Sequence, residues 1–296
     1  MSWVGERPFS RSWPQCSCSF TCLDEIVMRL KIGSRLSFEF DRPTPVVALL
    51  NVHSSRAGDL EAPDRVTINP SVPIGGYHDV FANWCTRFIA PAGRVEISTE
   101  GIVRDKGTWD VEDTTATEHP VAELTPDTLQ FLLGSRYCET NLLSSFAWST
   151  FGASPPGHSR VKAVVDYVHD HLRFDYSKSS PVRTAVAAFQ ERVGVCRDFA
   201  HLAIALLRSL NIPARYCTGY ISDVGLPPPE SPQDFAAWIE VYLGGQWRIY
   251  DPRNNDPRIG RVLIARGRDA EDVPLTLTFG PNKLVEFAVM VEELPE

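Results

Sequence analysis

"ERVGVCRDFAHLAIALLRSLNIPAR" (Glu191–Arg215) and "DFAAWIEVYLGGQWRIYDP" (Asp234–Pro252) together decide how this chain is read. In the first, Phe199, Leu202, Ala203, Leu206, Leu207 and Leu210 recur at helical spacing behind Cys196, and Asn211-Ile212-Pro213 ends the run. The spacing predicts a helix that begins at Cys196. In the second, two alternating segments flank Gly244-Gly245, the signature of a two-residue hairpin. A hairpin closed there sets Leu243 opposite Gln246, Tyr242 opposite Trp247, Glu240 opposite Ile249 and Trp238 opposite Asp251. Position 236 then lies diagonally beside Asp251 on one face.

That geometry bears on thiol chemistry. The thiolate is the reactive form of cysteine, and an ordinary free thiol holds little of it at neutral pH. A helix start favours the anion through its unpaired N–H groups and partial positive charge. Gly194 is expected to form a tight turn before Cys196, and Arg197 to add a positive neighbour, so Cys196 is expected to carry a lowered pKa. A base at 236, oriented by Asp251, would complete a nucleophile, base and orienter set.

The two stretches resemble the core of the transglutaminase-like superfamily, most closely a bacterial group described as candidate cysteine proteases. The resemblance covers residues 158–266, and the strands from Met28 to Asp105 resemble the N-terminal domain of the same relatives. It implies a papain-like core in which Cys196 is the nucleophile, Asp251 the orienter, and position 236 the histidine. Here position 236 is Ala236, whose methyl group accepts no proton. The resemblance therefore implies either a cysteine acyl-transfer or amide-hydrolysing protein weakened at its base, or an inactive descendant that binds a peptide or protein. Its substrate would be a peptide or protein carboxamide. Trp238 and Glu240, on the same strand, are expected to line the substrate cleft.

No other histidine is placed by the sequence to replace the missing one. His201 is five residues past Cys196, which rotates it by roughly 140° on the helix. His169 and His171 flank Asp170 at a helix end and face different directions. His53, His78, His119 and His158 are isolated. Glu240 would need a strongly perturbed pKa to act as a base. Gln190, an amide that could hold an oxyanion, reads as a surface helix residue, and Asp198 suits the first turn of any helix.

Around this core the chain of 296 residues reads as α+β. Residues 1–27 lack periodicity and are expected to be a disordered or mis-started extension. Short alternating segments at Arg35–Phe40, Val46–Val52, Arg65–Ile68, Val80–Ile89 and Arg94–Val103 predict a small antiparallel β-sandwich over 28–105. Residues 106–120 are acidic and read as a linker. Residues 121–296 are expected to form the core domain, with helices first (one opening at Thr125-Pro126, another over Ser159–Leu172) and antiparallel strands after.

With a net charge of −8, 43% hydrophobic residues and no basic run, nucleic acid is not an expected partner. No apolar stretch reaches membrane-spanning length, so no membrane is expected either. The seven cysteines show no framework spacing, which fits a reducing cytoplasm. Cys16, Cys18 and Cys22 lack a second ligand pair for zinc, and neither a metal nor a cofactor is expected. "PIGGYHD" (Pro73–Asp79) and "YLGGQW" (Tyr242–Trp247) read as turns, and no phosphate-binding glycine motif occurs.

Overall fold

The computed structural model describes residues 28–227 and 232–295. The reading of residues 1–27, with Cys16, Cys18 and Cys22, lies outside these.

Strand β1 (Met28–Phe40) sends Leu30, Ile32, Leu36, Phe38 and Phe40 inward, and folded structure begins at Met28. β2 (Thr44–Ala48), β3 (Thr67–Asn69), β4 (Ile74–His78), β5 (Trp84–Ala90) and β6 (Gly93–Asp105) follow. β4 corrects the reading of "PIGGYHD" as a turn: it is an edge strand paired with β5. Its glycines misled because they serve packing. A Cβ on Gly76 would lie 2.2 Å from the Trp84 ring, so glycine here makes room for an indole on the neighbouring strand.

The helical half follows. α1 (Pro126–Leu129) is a single turn, shorter than its N-cap and leucine spacing suggest. α2 (Thr140–Phe151), α3 (His158–His171), α4 (Ala185–Glu191) and α5 (Cys196–Ser209) come next, with the two-residue strands β7 (Arg173–Phe174) and β8 (Val193–Gly194) pairing in parallel just before α5. β9 (Ala214–Ile221), β10 (Ala236–Leu243), β11 (Gln246–Tyr250) and β12 (Arg261–Gly267) then form an antiparallel sheet in the order β11-β10-β9-β12. α2, α3 and α4 pack on α5, and α5 packs on β9 and β10. From Asp198 to Ser209 every residue of α5 is buried, so it is a central helix and not an amphipathic surface one. Small residues at Ala200, Ala203 and Ala205 let neighbours close on all sides. Its buried Arg208 is satisfied by the carbonyls of Ala214, Leu133 and Arg268.

Two parts of the expected division are corrected. β13 (Thr276–Thr278) and β14 (Asn282–Leu294) leave the 121–296 core and return to the N-terminal unit. β14 pairs along the whole of β1, and β13 pairs with β2, giving two four-stranded sheets in the orders β14-β1-β6-β3 and β13-β2-β5-β4. The sandwich is therefore built from both ends of the chain. The expected linker, 106–120, is a strap fixed to the core. The Asp110 carboxylate accepts from Arg261 Nε at 2.6 Å, Asp113 pairs with Arg248 at 2.7 Å, and Glu118 pairs with Arg160 at 2.8 Å. The acidity that suggested a solvated linker is the means of attachment.

Candidate active site

Cys196 opens α5 just after β8, and the left-handed residue of the turn leading there is Arg192, at φ 56°, rather than Gly194. Val195, at the N-cap, has no side-chain acceptor, so the third residue of the helix supplies the cap in reverse. Asp198 Oδ2 accepts from the Val195 N–H at 2.9 Å and from Arg183 at 3.2 Å. Gly194 is needed because Asp198 folds back against it: a Cβ there would lie 2.6 Å from the Asp198 Cβ. This corrects the expectation of a glycine turn; the requirement is space.

The Cys196 side chain is half-buried and lines an open cleft of about 400 Å³. Ala236, Ala237, Tyr176, Asp234, Arg253 and Arg258 line the same cleft, so the sulfur and the empty histidine position share one crevice. The expected lowered pKa is overturned. Burial, reinforced by the Asp234 carboxylate, pushes the thiol up to about 11, and the Ala237 and Arg197 N–H groups with the Arg253 charge offset this only partly. Without an imidazolium, the helix start alone does not hold a thiolate. Nor does the Arg197 side chain serve as the positive neighbour: its guanidinium lies over the Tyr137 ring and donates to the Ser180 carbonyl.

The hairpin register holds up to the residue before Asp251, and the expected Trp238–Asp251 pair does not form. The pairs Leu243–Gln246, Tyr242–Trp247 and Glu240–Ile249 form as expected, and pairing stops at Ile239–Tyr250, one residue before Asp251. Its carboxylate is fully engaged elsewhere, however. Oδ1 accepts from the N–H groups of Arg253 and Asn254, at 3.1 and 2.9 Å. Oδ2 accepts from Asn254 Nδ2 at 2.7 Å and Arg261 Nη2 at 2.9 Å. Asp251 is buried behind Asn254 and borders a neighbouring, smaller pocket with Asp110, Lys162 and Arg261. Of the three expected components, Cys196 and position 236 meet in one cleft, and Asp251 stands outside it.

Trp238 and Glu240 are corrected as cleft residues. Trp238 is 1% exposed and packs with Cys217 and Leu263 beneath the Arg261 guanidinium. Glu240 forms an ion pair with Arg215 at 2.5 Å, across the β9–β10 pair. Sequence reading passed over Asp234, although it lies within the quoted motif. It is two residues before Ala236, the spacing that puts side chains on one side of an extended chain. Burial raises its pKa, which the Phe235 N–H and the Tyr176 hydroxyl oppose.

The histidines stay away from the thiol. His201 is fully buried, stacked on Tyr137, and accepts from the Ala270 N–H at 3.1 Å; burial holds its pKa far below the ordinary range. His169 meets the Arg253 carbonyl and His171 the Phe189 carbonyl, so the two diverge. His53 is bound to Ser55 and Phe81, His158 to Tyr250, and His119 to Gly245. His78 packs edge-on against Trp84. Gln190 is exposed on α4. Among the described residues, no group of three His, Cys, Asp or Glu side chains converges as metal ligands would.

Residues 145–252, which run from α2 through Asp251, match the family model of the transglutaminase-like superfamily. The chain carries a transglutaminase-like core. A crystal structure of a candidate cysteine protease from Cytophaga hutchinsonii superposes with a TM-score of 0.80 at 29% identity, covering 91% of this chain and 92% of that one. The likeness thus takes in the sandwich as well as the transglutaminase-like core. An uncharacterized protein of Mycobacterium leprae is 38% identical over 105 residues, 33% of this chain and 37% of its own. One of Mycobacterium bovis is 34% identical over 133 residues, 39% of this chain and 41% of its own. The matches therefore span about two fifths of these curated relatives.

Proposed function

We propose that this chain uses the transglutaminase-like cleft at Cys196 to bind a peptide or protein segment, without turning it over by acyl transfer. The observation that carries this reading is geometric: Cys196 and Ala236 line one cleft, with no imidazole at the position of the base. Acyl transfer by a thiol needs a base to take its proton and a nearby positive charge to keep the thiolate. Here the base position is Ala236, the Arg253 charge is opposed by the Asp234 carboxylate, and burial with Asp234 pushes the thiol up to about 11. Asp251, at the expected orienter position, is in a buried pair with Arg261. The cleft itself persists, and its walls carry charged and aromatic side chains suited to recognition.

A second reading, slow acyl transfer or amide hydrolysis with Cys196 as nucleophile, has one residue in its favour. Asp234 lies in the cleft, acts on the sulfur, and has a pKa raised by burial, the direction that makes a carboxylate a stronger base. Against it, the same charge opposes the thiolate that the reaction needs.

The fold carries no helix, among the described residues, long and apolar enough to cross a membrane. Cys85, Cys138, Cys196 and Cys217 are all unpaired, in keeping with the cytoplasmic location that we propose.

The test compares the whole chain with Cys196→Ser on fluorogenic peptide amides and on glutamine carboxamides with an amine acceptor. The binding reading expects the two to be equal at background, and Ala236→His to add turnover that Cys196→Ser removes. Cys196-dependent turnover by the unaltered chain, lost in Asp234→Asn, overturns it in favour of the second reading.

A further inference from the structure

The Cys196 cleft contains two guanidinium groups, on Arg253 and Arg258, that no carboxylate neutralises within 4 Å among the described residues. Three of the four buried arginines among the described residues are paired with carboxylates: Arg261 holds Asp251 and Asp110, Arg215 holds Glu240, and Arg183 holds Asp198, while the fourth, Arg208, is held by carbonyls. Arg253 and Arg258 are held instead by one neutral group. Asn254 Oδ1 accepts from Arg253 Nη1 and, at 3.0 Å, from Arg258 Nη2, while Asn254 Nδ2 donates to Asp251. The amide thus fixes both guanidiniums without cancelling their charge. Phe174 supports the Arg253 guanidinium from below at 4.3 Å. The Arg258 Nε is buried with no partner among the described residues.

The start of α5 enters the same cleft at Cys196, adding N–H groups and a partial positive charge. Asp223, Asp234 and the Tyr176 hydroxyl supply acceptors there as well. A simple anion would meet repulsion from the two carboxylates. A ligand that joins a carboxylate to N–H donors satisfies both kinds of group, and a short peptide has that composition. At about 400 Å³ the cleft has the size of a small-ligand site.

We propose that Arg253 and Arg258 form a carboxylate subsite, and that the occupant of the Cys196 cleft is a peptide whose carboxylate bridges the two guanidiniums while its backbone N–H groups meet Asp234. This rests on the binding reading above only in taking the cleft as a recognition site. Two planar forks beside one another suit a carboxylate oxygen pair.

The experiment is calorimetric titration of the full chain with three peptides: N-acetyl-Ala-Gln-Ala with a free C-terminal carboxylate, the same peptide amidated, and amidated N-acetyl-Ala-Glu-Ala. At least one carboxylate peptide binds roughly tenfold tighter than the neutral one, and Arg253→Gln and Arg258→Gln each cut that margin below about threefold. Which carboxylate peptide wins tells a chain terminus from an acidic side chain. Equal binding of all three, no binding at millimolar concentration, or a margin that survives both substitutions overturns the subsite. So does displacement of the bound peptide by inorganic phosphate at lower concentration than by acetate. The margin is read as a difference between peptides and requires no reaction at Cys196. A failure here is therefore separate from the appearance of Cys196-dependent turnover, which would overturn the binding reading alone.

Discussion

Ala236 places a methyl group in the cleft that Cys196 lines. Asp251, with no imidazole to orient, anchors the 251–255 turn and neutralises the buried Arg261. Without Asp251 the buried Arg261 keeps only Asp110, and the four donors that Asp251 accepts from lose their charged acceptor. Asp251→Asn is therefore expected to cost about 3 kcal/mol in urea unfolding, and Cys196→Ser to stay within about 0.5 kcal/mol of the parent. A loss below about 1 kcal/mol for Asp251→Asn would show that Asp251 does not hold the structure together in this way.

At the scale of elements, the start of α5 rests on the fit between Gly194 and Asp198. Gly194→Ala pushes a methyl group into the Asp198 carboxyl and displaces it from the Val195 N–H. The expected cost is about 1–3 kcal/mol, read as a fall in melting temperature; an unchanged melting temperature would mean that Asp198 has room to move. The hairpin and α5 were legible in the sequence because their signals are local: a Gly-Gly turn fixes register, and leucine spacing fixes a helix. Ala236 was legible as a gap for the same reason, since it occupies a numbered place in that register. What stayed hidden depends on distant partners. The pKa of Cys196 follows from Asp234 and from burial under β10, and the fate of Asp251 from Arg261 on β12. The Gly76 strand looked like a turn because its reason, the Trp84 ring, lies on the next strand. The return of β14 to β1 joins residues more than 240 positions apart, and alternation alone does not say which sheet a strand will join.

Over the whole molecule, the protonated groups of the interior set an alkaline limit. Burial raises Cys138 to about 12, Cys196 to about 11 and Tyr250 to about 12, from ordinary values of 9, 9 and 10. The folded chain keeps these protons at a pH where the unfolded chain has lost them, so stability falls as pH rises. The window opens near pH 9 and extends to about pH 12. Melting temperature is expected to decline by several degrees between pH 8.5 and 10.5; a flat or rising curve would contradict the burial of these groups. The acidic strap and the two-ended sandwich make this a property of one joined structure, since Asp110 ties residues 106–120 to Arg261 beside the cleft.

The most direct measurement is the pH dependence of Cys196 alkylation by iodoacetamide, mapped by mass spectrometry against Cys196→Ser. The account predicts a midpoint near 11, and at pH 7 a rate roughly a hundredfold below that of an ordinary free thiol. A midpoint below about 8 would mean that an activated thiolate exists in this cleft despite Ala236, and would contradict the account.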